Sequence, residues 1–248
     1  MPRSRNCLIR PAPAGLRGAR LRPAGHANVA SVTRLVLLPG MGATARMYGP
    51  LARRLDRALS IPPWRAPGGT LADYARRHVA AGDVRAGDIV GGSSFGGFVA
   101  LEIARQVDCA GVVLIGSARS TRSYRRLAAL APLTRLLPRV RPMPAPVMRL
   151  IGSVLGSLPA VPQRDVFVAM ARSVPPDFLH WACDAAAHWT GVERPRCPVL
   201  QIHGAADRVI PLAEVSADVV IARAGHIPAL TRPGAVAAAM AAWIERVG

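Results

Sequence analysis

The chain contains no lysine: all 32 of its basic residues are arginine, set against 14 acidic residues for a formal charge of +18. A preference this exclusive, in a chain also rich in Ala, Gly and Pro, reads as a compositional bias rather than as selection of guanidinium groups for phosphate. Two segments carry the charge. Residues 1–55 hold ten arginines and no acid, residues 109–164 hold nine and no acid, and the remainder balances to within one charge. Aromatic residues make up only 4%, too few for a base-stacking platform, and no nucleic-acid-binding module is recognisable, so a nucleic-acid partner is not expected. No apolar run reaches the roughly 18 residues that a membrane-spanning helix needs, because Arg, Pro or Gly interrupts each one.

Cysteine is scarce as well. Cys7, Cys109, Cys183 and Cys197 form no C-x-x-C pair and are too few for a disulfide scaffold in a domain of this size, which points to reduced thiols and a cytoplasmic location. The six histidines are scattered without an H-E-x-x-H motif. His180 and His188, two helical turns apart in "HWACDAAAHW", are the nearest approach to a ligand pair, and no metal is expected. Nucleotide fingerprints are missing too, since neither G-K-[ST] nor G-x-G-x-x-G occurs in the glycine-rich stretch "DIVGGSSFGG".

What is present is a regular alternation. Residues 1–33, rich in Pro, Gly and Arg and without a periodic apolar face, read as a disordered tail or as sequence upstream of the true start, outside the fold. From Arg34 onward, "RLVLLPG", "ALSIPPW", "DIVGG", "AGVVLIGS", "CPVLQIHG" and "DVVIARAG" are six short strand-like runs. Helical patterns separate most of them, beginning with "MYGPLARRLD", a short amphipathic helix. One is "TLADYARRHVAAG", with Thr70 as N-cap and Asp73 three residues on; another is "FGGFVALEIARQV", and "PGAVAAAMAAWIERV" closes the chain. Apolar strands alternating with helices predict an α/β fold, a mostly parallel sheet covered on both faces. Residues 119–194 break the alternation with helical signals only, too long for a loop. They are read as a helical cap inserted into a core formed by 34–118 and 195–248.

In such sheets the ligand lies beyond the carboxyl ends of the strands, so the segments that follow the strands carry the chemistry. "GGSSFGG" fits G-x-S-x-G in one register only, with Gly92 and Gly96 flanking Ser94. A nucleophile there needs small neighbours, because the serine must be lifted out of a sharp strand-to-helix turn. A structural turn remains the alternative on these residues alone. "HGAADRVIP", after the fifth strand, supplies Asp207, and "ARAGHIPAL", after the sixth, supplies His226. Each of these, taken singly, is also a plausible cap or surface residue. Their order at successive strand ends favours a nucleophile, an orienting acid and a base.

With "LVLLPGMG" before them, these segments resemble the α/β-hydrolase superfamily over the chain from about Arg34 to the end. The resemblance implies that Ser94 attacks an acyl carbonyl, His226 is the base and Asp207 orients it. It further implies that the backbone N–H groups of Met41 and Phe95 form the oxyanion hole, with no cofactor. The chain departs from the family's pattern at Pro39, where His is commoner, and at Ser93, where His or Glu is usual. It also places only 19 residues between Asp207 and His226, room for little more than one helical turn, and lacks the family's first two strands. Within the superfamily the chain resembles the small bacterial carboxylesterases, among them the methyl ester esterase of biotin synthesis, which acts on a pimeloyl carrier-protein conjugate. That likeness implies a small-molecule or acyl-carrier-protein-linked ester as substrate. Thioester hydrolysis and a non-catalytic ligand-binding relative stand as alternatives. Arg119, Arg122, Arg125 and Arg126, at the start of the cap, are candidates for docking an acidic carrier or an anionic acyl group; an ordinary solvated basic face is the other reading. No oligomeric state is implied.

Overall fold

The structure is a computed structural model that describes residues 33–124 and 161–247, with the backbone alone for 161–164. Arg125 and Arg126, the middle of the expected cap and nearly all of the expected tail lie outside the described residues.

Six strands form one sheet: β1 (Leu35–Leu38), β2 (Leu59–Ser60), β3 (Ile89–Ser93), β4 (Gly111–Ile115), β5 (Val199–Gly204) and β6 (Val219–Ile221). Their spatial order is β2-β1-β3-β4-β5-β6, and every pairing is parallel. Five lie within the runs picked out from the sequence, and β3 extends one residue beyond its run, to Ser93. The run around β2 is longer than the strand, which pairs with β1 through only two residues.

Alternation at period two divides the core between the two faces of the sheet. Val36, Leu38, Val90, Val112 and Leu114 point to one side, where α2 (Leu71–Ala80) and α3 (Phe95–Ala104) cover them. Leu35, Leu37, Ile89, Val113 and Ile115 point to the other, under α1 (Gly49–Ala52) and the C-terminal helix. The segment "MYGPLARRLD", expected as one amphipathic helix, is instead a 3-10 turn, Ala45–Tyr48, that runs into the four-residue α1. Gly49 and Pro50 at its start are weak helix formers, and it ends at Arg53. By contrast α2 begins with the expected reciprocal cap: the Thr70 hydroxyl accepts from the Asp73 amide, and the Asp73 carboxylate accepts from the Thr70 amide. Helix α3 is buried along its whole length. Its one acidic residue, Glu102, accepts a 2.7 Å hydrogen bond from the Trp189 indole, so the buried carboxylate is not left unsatisfied.

Between β4 and β5 the described residues form α4 (Val161–Ser173) and α5 (Pro176–Ala187). At the base of this insertion the Val192 amide donates to the Arg119 carbonyl at 2.7 Å, closing its two ends on each other. After β6 come the short α6 (Pro228–Thr231) and α7 (Pro233–Val247). No helix among the described residues is long and apolar enough to cross a membrane. Cys109 and Cys197 are free thiols.

Candidate active site

At the end of β3 the chain must leave the sheet and start α3 within one residue. Ser94 makes that turn at φ 52° and ψ −120°, one of only two non-glycine residues at positive φ among those described. An L-residue held there is strained, and such strain persists only where its surroundings over-determine it. Here they do. The Ser94 amide donates to the Ile115 carbonyl at 3.1 Å, while its own carbonyl accepts from the Gly97 amide at 2.9 Å and the Ser117 hydroxyl at 2.8 Å. Close packing fixes the flanking residues as glycine. A Cβ on Gly96 would sit 2.2 Å from the Leu38 carbonyl oxygen, and one on Gly92 would sit 2.3 Å from the carbonyl carbon of Gly96. Ser93 is wholly buried, and its Oγ has no hydrogen-bond partner among the described residues. Ser94 Oγ is turned outward instead.

It meets His226, whose Nε2 lies 2.8 Å away, across 132 residues of chain. His226 sits after β6, with its Nδ1 2.9 Å from Asp207 Oδ2. The 19-residue interval does suffice. Its crossover is reduced to a three-residue 3-10 turn, Leu212–Glu214, before β6 returns the chain to the sheet. Gly204, at the end of β5, lets the two loops meet, since a Cβ there would lie 2.3 Å from the Gly225 carbonyl oxygen.

Proton positions follow from the partners. An ionised carboxylate can only accept, so His226 Nδ1 carries the hydrogen; Nε2 then presents its lone pair, and Ser94 Oγ–H donates to it. Asp207 is buried, and burial opposes its ionisation. Hydrogen bonds from His203 and His226, the charge at His226 and the Ile210 amide outweigh that, holding the carboxyl well below its ordinary range. Its Oδ1 accepts from the amides of Val209 at 2.8 Å and Ile210 at 2.9 Å. A serine hydroxyl donating to a neutral imidazole, itself held by a carboxylate, is the arrangement that makes serine nucleophilic without a metal.

The two backbone N–H groups expected as oxyanion donors, those of Phe95 and Met41, belong to the segments that flank Ser94. The Phe95 amide is the first of α3, one of the donors a helix start leaves without an intrahelical acceptor. Met41 occupies the second position of a tight turn closed by the Ala43 amide on the Gly40 carbonyl at 2.9 Å. Gly42 has φ +77° there, as the third position of a type II turn requires. The turn abuts the elbow: a Cβ on Gly40 would touch Ser93 O at 3.1 Å and Ser94 Cβ at 3.6 Å. "PGMG" is thus a β-turn and also a neighbour of the serine.

Described residues of the segment between β4 and β5 close in on this side. Cys183 of α5 lies 3.4 Å from the Met41 sulfur. Trp64, whose indole N–H donates to the Ala43 carbonyl at 2.8 Å, packs against Phe178 of α5 with ring centroids 4.5 Å apart. Arg119 turns inward, its Nε donating to Gln201 Oε1 at 3.1 Å, and lines a cleft of about 240 Å³ with Glu193 and Glu214. Arg122 is exposed and faces Glu193 at 4.0 Å. Among the described residues no group of His, Cys, Asp and Glu has the geometry of a metal site.

Sequence reasoning gave no role to Tyr48, Ser117 or His203. The first two depend on contacts between distant segments and leave no local signal. His203 is the opening residue of the quoted "HGAAD", and its four-residue spacing from Asp207 was a readable clue.

A parallel sheet with a strained serine at a strand-to-helix turn, met by histidine and aspartate from later strand ends, defines the α/β-hydrolase class of fold. The family model described as "Alpha/beta hydrolase family" matches residues 35–239, and the chain belongs to that family. No match to the chain is found among curated protein sequences. Among solved structures, a thermophilic esterase from Thermogutta terrifontis is similar at TM-score 0.68 and 21% identity, covering 87% of this chain and 90% of that one. An esterase from Rhodococcus sp. is similar at TM-score 0.66 and 20% identity, covering 87% and 91%. MenH from S. aureus is similar at TM-score 0.67 and 15% identity, covering 89% and 96%. At these identities the likeness is one of fold.

Proposed function

We propose that the protein is a serine hydrolase that cleaves carboxylic esters through an acyl-enzyme intermediate. The observation that carries this reading is the unbroken hydrogen-bonded chain from Ser94 through His226 to Asp207, with Ser94 held at positive φ. In the reaction, Ser94 Oγ attacks the acyl carbonyl while His226 Nε2 takes its proton. The same proton then protonates the leaving alkoxide, and the acyl group stays on Ser94. Water, deprotonated in turn by His226, releases the acid. Asp207 keeps the imidazole in the productive tautomer and balances the imidazolium as it forms. The oxyanion is received by the Met41 and Phe95 amides.

Three finer features belong to the proposal. Residues 119–194 act as a helical cap over the carboxyl edge, supported by α5 lying against Met41 and Phe178 lying against Trp64. The substrate class includes a carrier-protein-linked methyl ester, for which the arginines at the start of the cap supply attraction. The salt dependence of kcat/KM for a carrier-bound ester against a small ester tests that point, because screening weakens only the former; equal responses remove the carrier. Free thiols at Cys109 and Cys197 are in keeping with a reducing, cytoplasmic location.

The central test is labelling with a fluorophosphonate, which reports an activated serine directly. Wild type becomes labelled and Ser94→Ala does not. Absence of labelling in folded wild type would leave a ligand-binding protein with a hydrolase fold. A panel of esters and thioesters of graded acyl length then separates esterase from thioesterase activity, since one nucleophile serves both.

A further inference from the structure

His203 takes no part in the proton relay just described, yet it touches the acid of that relay. It is the penultimate residue of β5 and is wholly buried. Its Nε2 lies 2.8 Å from the Ile210 carbonyl oxygen and 3.1 Å from Asp207 Oδ2. Both partners can only accept, so Nε2 carries the hydrogen and shares it between them. Its other nitrogen, Nδ1, is buried without a hydrogen-bond partner among the described residues. A phenylalanine would fill the same space without orphaning a nitrogen, so packing does not account for an imidazole here. What an imidazole adds is one N–H set against the oxygen that also faces His226.

We infer that His203 is a positioning residue for the Ser94–His226–Asp207 relay, its shared Nε2–H holding the Asp207 carboxylate in the orientation that receives His226. The inference rests on the hydrolase reading above. The geometry makes a closed ring of it: Ile210 donates its N–H to Asp207 Oδ1 and accepts His203 through its carbonyl. Strand end, acid and following turn are thereby locked together without His226. The N–H also draws negative charge from Oδ2, the oxygen on which His226 depends, and contributes to holding the carboxyl below its ordinary range. Without that N–H, Oδ2 becomes the stronger acceptor and favours the imidazolium form of His226. The titratable groups that meet here are Asp207 and His203 from the β5 side and His226 from the β6 side, while the neighbouring Arg208 is exposed.

The experiment compares wild type with His203→Phe, which removes the donor, and His203→Gln, whose amide can return an N–H near the Nε2 position. For p-nitrophenyl acetate, His203→Phe lowers kcat roughly tenfold, the rate equivalent of one hydrogen bond to a charged group. KM stays within about twofold, since the lost interaction serves the reacting groups rather than substrate binding. The acid limb of kcat/KM against pH moves upward, a change that loosened packing alone does not produce. His203→Gln recovers most of kcat. A folded His203→Phe enzyme with the kcat and acid limb of wild type overturns the inference. If His203→Phe does not fold, the imidazole ¹H–¹⁵N spectrum of wild type decides, with His203 assigned by its loss in His203→Gln. The Nε2–H tautomer supports the inference, and the Nδ1–H tautomer or an imidazolium overturns it. Fluorophosphonate labelling of wild type separates the two failures: an unlabelled wild type refutes the hydrolase reading, whereas a labelled one with an unaffected His203→Phe refutes only the positioning role.

Discussion

The Ser93 amide donates a 2.8 Å hydrogen bond to the phenolic oxygen of Tyr48, 45 residues earlier in the chain. Tyr48 passes its own hydrogen to the Leu38 carbonyl at 2.7 Å. The side chain thus stands in for a missing piece of sheet. β1 pairs with β3 as far as Leu38 opposite Gly92 and then turns away, leaving the Ser93 N–H with no strand partner on that side. Burial pushes the phenol far above its ordinary pKa, more than the Ser93 amide lowers it, so it stays a neutral donor.

Tyr48→Phe removes that bridge with little change in volume. Two buried groups, the Leu38 carbonyl and the Ser93 N–H, lose their partner, at a cost of about 1–3 kcal/mol each where nothing replaces it. The urea midpoint falls accordingly at an unchanged m-value. Because Leu38 leads into the Met41 turn and Ser93 into Ser94, kcat falls as well. A variant with the stability of wild type would show that water or a shifted backbone satisfies both groups.

Glycine-to-alanine substitutions separate two kinds of glycine in this chain. At Gly96 the new methyl group would lie 2.2 Å from a backbone oxygen, and overpacking of this kind costs about 1–3 kcal/mol or more. At Gly234 the backbone is already helical, in the first turn of α7, and the nearest atoms to a Cβ belong to the Arg54 side chain, at 3.7 and 3.8 Å. Alanine there stabilises by roughly 0.4–1 kcal/mol, through the entropy of the unfolded chain. Denaturation of the two variants should move in opposite directions, and a loss of stability at Gly234 would contradict the helical conformation assigned to it.

Asp207→Asn tests which tautomer of His226 the site requires. The new amide keeps an oxygen for the Val209 and Ile210 N–H groups, so its NH₂ faces His226 Nδ1. That contact is satisfied only if Nδ1 becomes the acceptor and the hydrogen moves to Nε2, where Ser94 needs a lone pair. A loss of about 10⁴-fold in kcat is expected from this wrong tautomer, with small change in KM. A variant within tenfold of wild type would remove Asp207 from the proposed relay.

The parts legible in the sequence were those carried by local pattern. Apolar runs located the four central strands, because strands buried on both faces must be apolar throughout; the partly exposed edge strands β2 and β6 fell within shorter runs. Gly92 and Gly96 fixed the register of Ser94, and two strand ends marked Asp207 and His226. Other parts depend on which segments meet after folding. Nothing near Tyr48 announces that it will close a gap between β1 and β3, and the short segment from Asp207 to His226 looked restrictive only on the assumption of a full crossover helix. Residues 47–56 misled for a different reason: an amphipathic spacing over so short a span is equally satisfied by a 3-10 turn and one turn of α-helix.

A final prediction concerns acid stability and a cluster at the far end of α2. His78 is wholly buried, with its Nδ1 2.8 Å from Asp83 Oδ2 and its ring edge-on to Tyr74. Asp83 also receives Arg65 through two hydrogen bonds, so the carboxylate accepts and His78 Nδ1 carries the hydrogen. The other nitrogen, Nε2, is buried without a hydrogen-bond partner among the described residues. A second proton there would be placed with no acceptor. Burial therefore lowers the pKa of His78 below its ordinary value, against the pull of Asp83 and with a smaller push from Arg65. For a histidine depressed in the folded state, the unfolded chain binds the proton first. The folded state thus loses stability as pH falls from about 6.5 towards the lowered value, with no contribution above that window. His78→Asn keeps a donor for Asp83 and does not titrate. Its midpoint of urea unfolding should fall less steeply than that of wild type between pH 7 and 5. Equal slopes would mean that the imidazole takes up its second proton in the folded state, and that Nε2 has an acceptor once the cluster is charged.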